Sequence, residues 1–167
     1  MSNGWDSYIW ALQSRYSFKK QQYTVTGVCE HAAIYGIDGT CWAHTSAWPG
    51  LKEYEHPLEQ DDGSTTNIHV NEFSGASKCS KGNRNPTAAG IRMGNIKFMM
   101  IRNDPETNVS YLSRMGGGGA CIAQSKNALI ITIWNKDALM SNNQNQNAGD
   151  CNEMAELCRE RLVKEGY

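Results

Sequence analysis

Between residues 90 and 134 the chain is a series of strand-like runs whose connections are too short to cross a sheet. GIRMGNIKFMMIR (90–102) reads as two strands about Gly94-Asn95, and NVSYLSRM (108–115) as another. ACIAQS (120–125) and ALIITIW (128–134) read as a hairpin about Lys126-Asn127. A parallel pair needs a crossover of roughly a dozen residues or more, so neighbours joined this closely run antiparallel. The expected centre of the fold is therefore an antiparallel meander. One link, GGGG at 116–119, has the look of a phosphate cradle, but such cradles open a helix and here a strand follows. It reads as a tight or bulged connection.

Upstream, VCEHAAIYG (28–36) and TCWAHTS (40–46) read as a hairpin turning at Asp38-Gly39, with Thr40, Trp42 and His44 on one side of its second strand. A first helix is expected from Trp5, Tyr8, Ile9, Leu12 and Tyr16, which share one helical face. That face is unusual for a core, because an indole N–H and a phenol O–H each want a partner. At the other end Met154, Leu157, Cys158 and Leu162 form an apolar stripe, with Asp150 and Glu153 placed as the capping box that starts a last helix. From 48 to 88 the pattern breaks into stretches rich in Ser, Asn and Gly that hold three of the four prolines, read as loop, insertion or short helix. The expectation is one α+β domain over 1–167: a central antiparallel sheet with N- and C-terminal helices packed on one face and an irregular insertion at about 51–87.

A length of 167 residues with 40% hydrophobic and 20% charged content suits such a domain. Lys plus Arg number 16 against 17 Asp plus Glu, so no global field recruits nucleic acid or membrane. No run approaches a membrane span, and no signal-peptide pattern opens the chain, which points to the cytoplasm. The six cysteines contain no CxxC and read as free thiols, so neither a metal nor another cofactor is expected. Charge is nevertheless uneven: Lys78, Lys81, Arg84, Arg92, Lys97 and Arg102 run without an acid between them, and Arg114 extends the set. Such a run is either a solvated surface or a basic face for an acidic protein or a lipid phosphate. No GxSxG, HExxH or Walker pattern occurs, so a binding protein is the simpler reading than an enzyme.

The start GWDSYI, the strand GTCWAHTS, the hairpin GIRMGNIKFMMIR, the glycine link followed by ALIITIW, and the end DCNEMAELCRERLVKEGY together resemble the profilin family. The resemblance covers about 1–50 and 88–167, while the middle resembles the enlarged insertions of some protist profilins. It implies a non-enzymatic adaptor that binds monomeric actin, regulates filament assembly, and associates with the cytoskeleton. It further implies binding of proline-rich proteins, such as formin-type assembly factors, and of phosphoinositide lipids. The matching polyproline positions are Trp5, Tyr8, Trp42, Arg161, Leu162 and Tyr167, with Arg161 standing where relatives commonly have His or Tyr. A polyproline II helix leaves its carbonyls free to accept from such N–H and O–H groups. The matching actin positions are Lys97, Met100, Arg102, Arg114, Met115, Asn152 and Glu153. Trp10, about 140° around the helix from Trp5, is expected to pack on the insertion or to add a ligand contact. The insertion's acidic start, Glu53 to Asp62, is expected to repel actin or to fold over the basic strands. Two alternatives stand beside this reading: a divergent profilin that keeps proline-rich ligands but not actin, and a thiol or small-molecule enzyme.

Overall fold

The computed structural model describes residues 4–17 and 19–167. Its centre is a seven-stranded sheet built from β3 (His31–Gly36), β4 (Cys41–His44), β7 (Ile91–Met93), β8 (Ile96–Asp104), β9 (Val109–Arg114), β10 (Gly119–Gln124) and β11 (Ala128–Trp134). The spatial order is β4-β3-β11-β10-β9-β8-β7, with every pair antiparallel. From β7 to β11 each strand lies beside its predecessor, the meander that the short links require. Gly116, Gly117 and Gly118 all take positive φ in the β9–β10 link, a conformation that L side chains avoid.

Strands β10 and β11 are buried almost throughout, because helices cover both faces of the sheet. Alternation divides their side chains between two cores. Cys121, Ala123 and Ile130 pack under α1 (Asp6–Leu12) and α3 (Ala148–Lys164), together with Leu12, Cys151, Ala155 and Leu162. Ile122, Leu129 and Ile131 face the other way, joining Phe98, Leu112, Trp48 and the small residues Ala76 and Cys79 of α2 (Glu72–Ser80). The terminal helices share one face, as expected. A short helix was among the readings of 48–88, but its place on the opposite face was not anticipated.

Three local readings are corrected. The first helix does not continue to Tyr16, because the chain leaves it at Gln13 and enters β1 (Ser14–Ser17), which pairs with β2 (Gln22–Thr26). Pairing with the β-forming run QYTVT overrides the helical spacing. The cap of α3 is Asn147 rather than Asp150: its side-chain Oδ1 accepts from the Asp150 backbone amide at 2.9 Å, and its side-chain Nδ2 donates to the Asp150 carboxylate at 3.0 Å.

The third correction concerns the stretch from 51 to 87, which is ordered. It holds a hairpin of β5 (Glu53–Glu59) and β6 (Thr65–Asn71), followed at once by α2. Pro57 is tolerated because a two-stranded sheet leaves each strand an open edge. The fully buried carboxylate of Glu72 ties this unit to the sheet. It accepts from the Lys52 amide at 2.8 Å and the Tyr54 hydroxyl at 2.8 Å, and from the Gly94 and Asn95 amides at 3.0 and 2.9 Å. Glu53 and Glu55 turn to His69 within the hairpin instead of folding over the basic strands. The Trp10 ring meets Tyr23 of β2 edge-on at 4.7 Å.

Candidate functional site

Four of the expected polyproline residues form one aromatic cluster where α1, β4 and the end of α3 meet. Trp5 stacks on Trp42 with ring centres 4.6 Å apart, and lies 5.2 Å from Tyr8 and 5.0 Å from Tyr167. Trp42 and Tyr167 close the set edge-on at 5.9 Å. Local chemistry places each ring. Gly36, across the hairpin, leaves room for Trp42, since a Cβ there would come within 3.0 Å of the indole. At the end of α3, Gly166 takes φ 91°, and the Tyr167 amide returns to the Leu162 carbonyl at 2.9 Å. The Gly166 amide meanwhile reaches the Val163 carbonyl, and this Schellman closure turns Tyr167 back onto Trp5.

Arg161 belongs to the same wall. Its guanidinium carbon lies over the Tyr8 ring at 4.5 Å, and Nε donates to Glu165 at 3.4 Å. Glu165 also accepts the Tyr8 hydroxyl. Burial, and then that hydrogen bond, push the Tyr8 phenol up to about 12, against the opposing charge of Arg161. The same bond holds the Glu165 carboxyl below its usual range. Leu162 is corrected: it is fully buried in the core beneath α3, so it supports the cluster from behind and offers no surface to a ligand.

The residues expected to meet actin divide into two groups. Lys97 and Arg102 are exposed on β8, and Met115 is 60% exposed with its amide bonded to the Lys97 carbonyl at 3.1 Å. The Arg102 guanidinium covers the Tyr111 ring at 4.3 Å, and the Tyr111 hydroxyl donates to Glu156 of α3. This link ties the strip to the helix that carries half-buried Asn152 and exposed Glu153.

Met100 and Arg114 depart from that surface. Met100 is buried with Phe98 and Leu112, so strand alternation presents Met99 at 58% exposure instead. A bulge follows: Met100 pairs with Leu112 and Arg102 with Tyr111, which leaves Ile101 unpaired and 65% exposed. Arg114 pairs with Phe98, so it leaves the sheet on the opposite face from Met99. There it donates to Glu30 at 2.6 Å with only 14% of its side chain exposed. Met99, Ile101, Tyr111 and Glu156 were missed by sequence reasoning. Strict alternation from buried Phe98 would have found Met99, while the bulge that exposes Ile101 leaves no sequence signal.

Among the described residues no group of His, Cys, Asp and Glu is arranged to hold a metal ion, and no helix is long and apolar enough to cross a membrane.

The chain resembles known proteins over nearly its whole length. The profilin of Tetrahymena pyriformis is 30% identical over 168 residues, covering 99% of both chains, and nothing in that match marks 51–87 as an enlargement. Mouse profilin IIa, solved with a double repeat from the FH1 domain of mDia1, superposes with a TM-score of 0.60 at 18% identity, covering 99% of this chain and 100% of its own. LokiProfilin2, solved in complex with rabbit actin, superposes with a TM-score of 0.58 at 14% identity over 98% of each chain. The profilin family model matches residues 4–167, the same span that forms the sheet, its helices and the aromatic cluster; the chain belongs to the profilin family.

Proposed function

We propose that this chain is an actin-monomer-binding adaptor that regulates filament assembly and recruits proline-rich segments. The observation that carries it is the cluster of Trp5, Tyr8, Trp42 and Tyr167 in a member of the profilin family. Buried Tyr8 backs the cluster, while half-buried Trp5 and Trp42 and exposed Tyr167 offer ring surface that suits the flat faces of proline, and Arg161 adds a donor beside them. Solved relatives carry an FH1 double repeat and actin, which supports both ligands here.

The actin surface in this reading is the strip of Lys97, Met99, Ile101, Arg102 and Met115, continued by Asn152 and Glu153. It combines exposed apolar area with two cations, the composition of an anchor and a steering charge. Binding there is mechanical: occupying one end of the monomer blocks nucleation while the complex delivers subunits to growing filament ends. A phosphoinositide headgroup would draw on the same cations, so lipid and actin compete.

A pyrene-actin assembly assay tests the reading, with slower spontaneous assembly expected in the presence of the protein. The inward turn of Met100 and Arg114 favours a second reading, in which proline-rich ligands are kept and actin is not. Unchanged assembly kinetics together with intact proline-peptide binding would establish that alternative.

A further inference from the structure

Methionine is divided sharply between the core and one patch of surface. Met93, Met100, Met140 and Met154 are buried, Met100 being the least covered at 8% exposure. Among the described methionines only Met99 and Met115 are exposed, each by more than half. They are also neighbours. Met99 pairs with Ser113, and Met115, two residues further along the same alternation, bonds its amide to the Lys97 carbonyl. Diagonal positions on an antiparallel pair stand about 7–8 Å apart, within reach of long side chains. The two thioethers therefore share one patch, with exposed Ile101 and the cations Lys97 and Arg102 around it.

We propose that Met99 and Met115 form a redox-sensitive modification site, at which oxidation to methionine sulfoxide by hydrogen peroxide weakens the hold on actin. This role rests on the reading of the strip as the actin surface. The thioether sulfur attacks one peroxide oxygen, forming an S–O bond as the O–O bond breaks; sulfur gives up two electrons, and the second oxygen leaves as water with both protons. A dithiol reductase reverses the step, its two thiols becoming a disulfide while the sulfoxide oxygen departs as water. The exchange replaces a flexible apolar side chain by a polar one, and an S–O group covered by an apolar partner surface loses its water without a matching donor. Thiols compete weakly for the same oxidant. Cys41 is the one exposed cysteine, partial burial holds its thiol above the ordinary value, and it lies on β4 with β3, β11, β10 and β9 between it and the patch on β8. A thioether needs no deprotonation to react.

The test treats the protein alone with dilute hydrogen peroxide, removes the oxidant with catalase, and only then adds actin. Peptide mapping by mass spectrometry should find one added oxygen at Met99 and at Met115 before any at Met93, Met100, Met140 or Met154. Affinity for monomeric actin, read from the pyrene-actin assay, should fall about tenfold. Thermal melts should stay close to those of the untreated protein, since both side chains lie outside the cores. Methionine sulfoxide reductases acting on the two sulfoxide epimers should restore the affinity, whereas a small thiol, which reverses cysteine oxidation, should not. The double variant Met99→Leu/Met115→Leu, referred to its own untreated affinity, should show no fall after peroxide. Oxidation of the buried methionines ahead of this pair overturns the site. Oxidation of the pair with actin affinity unchanged overturns the switch, as does a fall that the reductases leave in place or that persists in the double variant. Failure of the untreated protein to bind actin overturns the actin reading itself, and the switch with it.

Discussion

Arg161 and Tyr8 are bound to each other twice, once through the guanidinium lying 4.5 Å from the phenol ring and once through Glu165, which both side chains reach. The arginine is therefore held flat beside the aromatic cluster. Arg161→Ala is expected to weaken a proline-rich peptide by about 0.5–2 kcal/mol, the range of a cation–π contact from exposed to partly desolvated. Because polyproline is uncharged, the loss should change little between low and high salt. Fluorescence titration of both proteins measures it, and equal affinities would mean that Arg161 takes no part in the site.

The Tyr8–Glu165 bond carries a pH signature. A carboxyl held below its ordinary pKa contributes stability above the unfolded value, and that contribution disappears as pH falls through the folded one, below the ordinary 4.5. Wild type should therefore melt higher than Glu165→Gln at neutral pH, with the two curves converging on acidification through that window. The Tyr8 phenol, raised to about 12, should move part of the way back toward 10 in the variant, since burial remains when the carboxylate is lost. Ultraviolet difference titration reads this directly. Identical tyrosine titrations would disprove the coupling.

Two arginines that look alike in the sequence should respond differently. Arg102 is exposed, so Arg102→Glu is expected to weaken actin binding, with an effect that shrinks as salt rises, and to cost no more than about 1 kcal/mol of stability, the scale of the exposed cation–π contact with Tyr111 that it loses. Arg114 is folded against Glu30, and Arg114→Ala leaves a half-buried carboxylate without its cation. A stability loss of about 2 kcal/mol is expected, the scale of a hydrogen bond to a charged group. Denaturant unfolding distinguishes them, and a fully stable Arg114→Ala would return that residue to the candidate surface.

Glu72→Ala removes the acceptor of three backbone amides and one hydroxyl at once. A loss of at least about 3 kcal/mol is expected, because unmatched donors keep their desolvation cost. Amide exchange at Lys52, Gly94 and Asn95 should accelerate more than exchange in β10 and β11. Uniform acceleration would show that the carboxylate serves global stability rather than this junction.

Of the six cysteines, Cys41 alone is exposed. Burial pushes the thiols of Cys79, Cys151 and Cys158 up to about 12, and those of Cys29 and Cys121 well above the ordinary value. A thiol reagent should label one site in the native protein, slowly, since partial burial raises Cys41 as well, and six sites after unfolding. Rapid labelling of the native protein at several sites would contradict this packing.

The meander and the terminal helices were legible because their determinants are local: short links, alternation, and an apolar stripe from Met154 to Leu162. The β5–β6 hairpin was not, since Pro57 and the flanking glutamates imitate a loop although Tyr54, His56 and Leu58 alternate with them. The aromatic cluster was readable from the resemblance but not from spacing, which cannot separate a packed ring from an open one. Leu162 and Met100 show the limit of transferring positions between relatives. A residue can keep its place in a pattern while neighbouring side chains or a one-residue bulge decide whether it reaches the surface. Arg114 shows the same limit for charge, because its partner Glu30 is far away in sequence and is brought to it only by the pairing of β3, β11, β10 and β9.

The rings that form the groove come from opposite ends of the chain: Trp5 precedes the first helix, and Tyr167 follows the last. In an unfolded chain of this length such residues wander over a coil about 40 Å in radius of gyration, and no short stretch can bring two walls together. Recognition of a proline-rich partner is thus withheld until the sheet has closed and both terminal helices have docked on it. Partners that scan for this groove select finished molecules and pass over nascent or half-melted ones, so the site certifies the fold that carries it.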